Sequence, residues 1–215
     1  MEGQILGKGF FKTHSPFHFF ISSLFFFELN YKSSLLNALT LHTNLFKTSN
    51  TPGRTQTLNF YKVGVESEKR GEEKRVNRIV DLPGYGYAKA PLSIVNTWNV
   101  LIDDYLTVKS RDRNVVRVLV LIDSRLSLRK SDFEMMNLLE RNLGRNCTFQ
   151  PILTKIDKVP KQQVDSLLCG IAHQCTLSSY KKLYPLVLGT SSKTFTGVNQ
   201  LRLLLYHCFQ DLPFQ

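Results

Sequence analysis

Val115-Val116-Arg117-Val118-Leu119-Val120-Leu121-Ile122 is a run of β-branched residues and leucine interrupted by one arginine. A strand with one wet face alternates apolar and polar side chains, whereas a strand buried on both faces of a parallel sheet is apolar throughout. This run reads as the second kind. Working outward toward the C-terminus, the pattern gives a helix over 131–143, a strand over 149–153, a helix over 161–172, a strand over 186–188 and a helix over 198–209. Toward the N-terminus a strand over 76–82 ends in Asp81-Leu82-Pro83-Gly84, and a strand over 58–65 precedes it. The charged stretch 66–78 is too polar to pack and reads as an exposed hairpin tip. Leu35, Leu36 and Leu39 share one face of a helix over 33–41, and Trp98, Leu101, Ile102 and Tyr105 fall at helical spacing over 98–106. No internal repeat is present. The alternation predicts an α/β fold, a mainly parallel sheet with helices on both faces.

The chain has 215 residues, 42% hydrophobic and 21% charged, which suits one globular domain of 31–212 behind an atypical leader of 1–30. Its formal net charge of +11 favours an acidic partner such as RNA or an anionic membrane surface. Cys147, Cys169, Cys175 and Cys208 show no metal-ligand spacing and read as small, buried, reduced thiols. The run Phe17-His18-Phe19-Phe20-Ile21-Ser22-Ser23-Leu24-Phe25-Phe26-Phe27 falls short of the roughly 20 apolar residues of a membrane span. No stable membrane insertion is expected of it. Either it is the apolar core of a signal sequence, with Lys8 and Lys12 ahead of it, or it is a buried first strand. The strand is preferred.

In a doubly wound sheet, ligands bind at the carboxyl ends of the strands, and the polar motifs fall there. Asp81 can hold Mg²⁺ through a water, and Gly84 lets a backbone N–H approach a γ-phosphate; both are also ordinary turn residues. Thr154-Lys155-Ile156-Asp157 closes another strand. A carboxylate at Asp157 accepts from the paired N–H donors that guanine offers and adenine lacks, while the Lys155 stem lies along the base. Asp157 is equally natural as a helix N-cap before Pro160. Ser191-Ser192-Lys193 follows the last strand, where small residues let backbone amides reach the guanine carbonyl.

Order and spacing make these motifs specific together. Thr51-Pro52-Gly53-Arg54-Thr55-Gln56, Asn59-Phe60, Asp81-Leu82-Pro83-Gly84-Tyr85-Gly86-Tyr87-Ala88, Trp98 and Leu121-Ile122-Asp123-Ser124-Arg125 resemble the signature of the EngB-type GTPases, of the TrmE-Era-EngA-EngB-Septin-like superfamily. The resemblance covers about 32–209. It implies a P-loop GTPase fold that binds GTP or GDP with Mg²⁺ and acts in assembly of the large ribosomal subunit, on that particle or its rRNA. By resemblance the nucleotide meets Lys32, Ser33, Ser34, Gly53, Arg54, Thr55, Gln56, Thr57, Asp81, Leu82, Pro83, Gly84, Thr154, Lys155, Ile156, Asp157, Thr190, Ser191 and Ser192, with Ser33 and Thr55 on the metal. Thr51 competes with Thr55 for that role. Tyr85 stands where many GTPases carry a water-orienting glutamine, so slow intrinsic turnover is implied and no residue is assigned as catalytic. A monomer in a mitochondrion or plastid is the expected setting.

One departure stands out. A phosphate loop needs G-x-x-x-x-G-K-[ST], because its backbone must wrap anions without Cβ atoms in the way. The family stretch GRSNxGKSS aligns with Phe26-Phe27-Glu28-Leu29-Asn30-Tyr31-Lys32-Ser33-Ser34. Phe26 and Tyr31 replace the two glycines, and Glu28 adds a negative charge, so weak or absent GTP binding is expected. Two explanations compete. One is a degenerate G protein, at the limit a nucleotide-free pseudo-GTPase that docks on rRNA through its basic surface. The other, preferred, is that the first 30 residues are not the native ones.

Overall fold

The computed structural model describes residues 21–27, 32–41, 59–63, 76–81 and 115–210. Among them are strands β1 (Ile21–Phe27), β2 (Asn59–Val63), β3 (Val76–Asp81), β4 (Val115–Asp123), β5 (Thr148–Thr154) and β6 (Leu188–Gly189). The helices are α1 (Lys32–Thr40), α2 (Lys130–Asn142), α3 (Lys161–Leu177) and α4 (Val198–Gln210). The strands form one six-stranded sheet in the order β2-β3-β1-β4-β5-β6. The β2–β3 pair is antiparallel and every other pairing is parallel. The second half of the Phe-rich run therefore lies in the sheet as β1, hydrogen-bonded to β3 on one side and β4 on the other. The helix expected over 98–106 lies outside the described residues, as does the hairpin tip expected over 66–78 except for Val76, Asn77 and Arg78, which belong to β3 and not to a tip.

β4 shows why its sequence lacks a polar face. Val118, Val120 and Ile122 point to one side and pack with Met135, Met136 and Leu139 of α2 and Ile171 and Cys175 of α3. Leu119 and Leu121 point to the other and pack with Leu35, Leu36 and Leu39 of α1 and Val198, Leu201 and Leu205 of α4. Helices thus cover both faces, as the alternation required. The exception, Arg117, sits at the N-terminal end of β4. Its guanidinium stacks 3.7 Å over the Tyr184 ring and donates to Thr148 Oγ1 and Gln150 Oε1, which makes a cation tolerable beside the core.

α1 is short, and its C-terminal carbonyls are met from another element. Arg202 of α4 donates through Nη2 to the Ala38 carbonyl at 2.6 Å and through Nε to that of Leu39 at 2.8 Å. A cation at a helix C-terminus meets both the orphan carbonyls and the negative end of the dipole. Of the cysteines, Cys147, Cys175 and Cys208 are buried as expected, and burial pushes the Cys147 thiol up to about 12 and that of Cys175 up to about 11. Cys169 corrects the expectation: it lies exposed on α3, outside the face that Ile171 and Cys175 bury. No helix of the described residues is long and apolar enough to cross a membrane.

Candidate functional site

Sheet register brings the carboxyl ends of the strands into one row. Phe26 pairs with Asp81, Asp123 with Thr154, and Leu153 with Gly189. β1 and β3 end within one residue of each other, as do β4, β5 and β6, while β4 runs three residues past the end of β1 opposite Val120; the residues after these ends share one edge of the sheet.

Thr154 is the last residue of β5. Its Oγ1 donates to the Ile122 carbonyl at 3.2 Å, so the hydroxyl is spent on joining β5 to β4. Lys155 follows with a left-handed backbone, φ 58° and ψ 34°. A non-glycine residue there costs about 1–2 kcal/mol and must be held by its surroundings. Ser124 Oγ donates to the Lys155 carbonyl at 3.0 Å, and the Lys155 ammonium lies 2.6 Å from Asp123 Oδ2. Asp123 also accepts from Arg125, through the backbone N and Nε to Oδ1 and through Nη2 to Oδ2. Burial opposes ionisation of Asp123, but the hydrogen bonds from Arg125 and Lys155 outweigh it and hold the carboxyl well below its ordinary 3.8.

Asp157 does not cap a helix. It sits inside a 3₁₀ turn, Ile156–Lys158, and the N-cap position of α3 falls to Pro160. Asp157 Oδ1 instead accepts from Ser191 Oγ at 2.6 Å. Ser191 is fully buried, and its oxygen also accepts the backbone N–H groups of Lys193 and Thr194. Thr190 straps the two loops together: its N and Oγ1 both donate to the Leu153 carbonyl, and its own carbonyl accepts from Ile156 N. Behind them Gly197 has φ +71°, and a Cβ there would overlap the Gly189 carbonyl oxygen. Only glycine fits that approach.

A cavity of about 70 Å³ opens among Ser34, Leu35, Thr154, Lys155, Thr190 and Ser192. The start of α1, the end of β5 and the loop after β6 thus meet on one space, although they are far apart in sequence. Ser33 is half-buried beside it near the start of α1. Lys32 and Asp81 are described by backbone only, as the first residue of α1 and the last of β3. Gly53, Arg54, Thr55, Gln56, Thr57, Leu82, Pro83 and Gly84, with Thr51 and Tyr85, lie outside the described residues. Phe26 is a paired strand residue, with Asp81 and Leu119 opposite it. Tyr31, immediately before α1, lies outside the described residues. Sequence reasoning gave no role to Asp123, Ser124 or Arg125; only their place in a recurring motif marked them.

A family model described as "50S ribosome-binding GTPase" matches residues 32–155, more than half of the chain. The EngB GTP-binding protein of Ruegeria pomeroyi is 40% identical over 176 residues, covering 82% of this chain and 73% of that protein. That of Sinorhizobium fredii is 41% identical over 179 residues, covering 81% and 76%. Among solved structures, Era in complex with MgGDPNP and nucleotides 1506–1542 of 16S ribosomal RNA aligns with a TM-score of 0.59 at 20% identity, over 92% of this chain and 59% of its own. An SsGBP and GDP complex aligns with a TM-score of 0.62 at 19% identity, over 93% and 53%. These two are similar in fold, and this chain spans little more than half the length of each. The sequence relatives and the family model together show that the chain belongs to the EngB family of GTP-binding proteins.

Proposed function

We propose that this chain binds guanine nucleotide through the loops after β5 and β6, and acts as a GTPase of ribosome assembly. The observation that carries the reading is the Ser191–Asp157 bond: neither residue lines the cavity, but Ser191 lies between Thr190 and Ser192, which line it together with the start of α1 and the end of β5. Ser191 occupies Oδ1 of Asp157, and no described residue donates to Oδ2. A carboxylate fixed in this way presents an acceptor to two adjacent N–H donors, the pair that distinguishes guanine from adenine. Ser192 lines the same cavity, where its backbone amide would meet the base carbonyl.

The residues present suit Mg²⁺, which prefers hard oxygen ligands and keeps several waters. The Ser33 hydroxyl near the start of α1 and Thr55 would hold it beside the phosphates, with Asp81 reaching it through water. Register supports this grouping, because Asp81 ends β3 level with the strand that leads into α1. When bound, the ion would neutralise phosphate charge. The net charge of +11 supports a polyanionic partner, for which rRNA of the large ribosomal subunit is the reading in keeping with the family. A mitochondrial or plastid setting belongs to the same proposal, and tagged full-length chain imaged in cells tests it.

Fluorescent GDP bound to the full-length chain with Mg²⁺, then challenged with unlabelled nucleotides, tests the nucleotide reading. Displacement by GDP and GTP but not by ATP is expected. Equal displacement by ATP, or no binding of GDP, would overturn it. Co-sedimentation with large ribosomal subunits, weakened by added salt, is the expected result for the partner.

A further inference from the structure

The Asp123-Ser124-Arg125 segment where β4 ends does not itself line the base cavity, yet its residues converge on Lys155, which does. Asp123 holds the ammonium at 2.6 Å, and Ser124 Oγ holds the carbonyl at 3.0 Å. The Ser124 backbone N donates to the Thr154 carbonyl at 3.0 Å. Arg125 fixes the Asp123 carboxylate on both oxygens. Ser124 and Arg125 themselves line a separate open cleft of about 350 Å³, whereas Lys155 lines the base cavity. We propose that Asp123-Ser124-Arg125 is the positioning device for Lys155, setting the lysine's aliphatic stem along the base before a nucleotide arrives. This rests on the nucleotide reading above.

A free lysine side chain has a flexible four-carbon stem, and freezing it on binding costs affinity. Here both ends of Lys155 are held in advance. Its side chain is only 17% exposed and that of Asp123 is 11% exposed, so water screens the pair weakly. The Lys155 backbone is left-handed, its ammonium reaches Asp123 at the end of β4, and the Ser124 bond stabilises that turn. Register makes the device: Asp123 and Thr154 are direct neighbours across β4 and β5, which brings Lys155 within reach of the carboxylate. Arg125 completes it by fixing the carboxylate's rotamer, since two hydrogen bonds on Oδ1 and one on Oδ2 leave it one orientation.

The test is a double-mutant cycle in the full-length chain, read by GDP titration with thermal melting as the check on folding. Asp123→Asn keeps the shape and removes the charge, and Lys155→Met keeps an apolar stem without the ammonium. Asp123→Asn is expected to weaken GDP binding about tenfold, the scale of one charge-assisted hydrogen bond. In the Lys155→Met background the same change should add less than about twofold, because the two residues act through one contact. Arg125→Gln, at a half-exposed side chain, provides a second route if Asp123→Asn melts early. It should weaken GDP binding about threefold with Lys155 present and leave it unchanged with Met there. Equal weakening in both backgrounds, or no weakening in either, overturns the proposal. If the unmodified chain itself fails to bind GDP, the nucleotide reading falls first and this inference with it.

Discussion

The hydroxyl of Ser191 donates to Asp157 Oδ1 at 2.6 Å and accepts the backbone N–H groups of Lys193 and Thr194. One buried atom thus ties the turn after β5 to the loop after β6, the two segments read as holding the base. Ser191→Ala removes all three bonds and leaves two N–H groups to find other acceptors. A stability loss of about 1–3 kcal/mol is expected in denaturant melts. GDP affinity should fall about tenfold with it, since Asp157 loses the partner that sets its rotamer.

Asp157→Asn tests the base assignment directly. Guanine offers Asp157 two N–H donors, whereas xanthine has a carbonyl oxygen in place of the exocyclic amine. An asparagine presents one acceptor and one donor, which fits xanthine and mismatches guanine. Competition titrations should therefore show the variant preferring xanthosine diphosphate over GDP, the reverse of the unmodified chain. Unchanged preference would remove Asp157 from the site.

Gly197→Ala places a Cβ against the Gly189 carbonyl at a left-handed φ of +71°. Backbone meets backbone there, so neither partner can rotate away. A destabilisation of about 2–4 kcal/mol is expected, read as a lower midpoint in thermal or urea melts. The same shift would disturb the Ser191 N to Thr196 carbonyl bond, so guanine affinity should fall together with stability.

Acid provides a separate test of the Asp123 pairing. Because Arg125 and Lys155 hold its folded-state ionisation below the ordinary 3.8, the ionised carboxylate contributes stability above 3.8. That contribution is lost as pH falls below 3.8 toward the lower folded-state value. Asp123→Asn should lower stability near neutrality and flatten the acid limb, so that the two chains converge as pH drops. Parallel stability curves would contradict this.

How far the sequence revealed the structure follows from which interactions are local. The apolar run of β4, the Leu35, Leu36 and Leu39 face of α1 and the strand ending at Asp81 are patterns within one element, and they were legible. Boundaries were less so. α3 runs on to Leu177, beyond the expected end at Ala172, because Cys175 is a core contact one turn further along. β6 occupies Leu188–Gly189 rather than 186–188, where pairing with Ile152 and Leu153 fixes it. The Asp123–Lys155 pair was not legible, since only the register of two parallel strands joins residues so far apart. Nor did pattern reading find that Ser191 anchors Asp157, although both residues were singled out. The strand preferred for the Phe-rich run is present as β1, with Phe26 paired to both β3 and β4.

Titration of GDP and GTP with Mg²⁺ into three full-length chains tests the central claim most directly: the unmodified chain, Tyr31→Gly, and the double variant Phe26→Gly, Tyr31→Gly. Measurable guanine-specific binding by the unmodified chain is expected, because the base-reading loops are in place. Binding at least about tenfold tighter is expected in Tyr31→Gly, where backbone amides would gain access to phosphate. The second glycine should add little, as Phe26 lies in β1. Failure of all three folded chains to bind GDP would contradict the account.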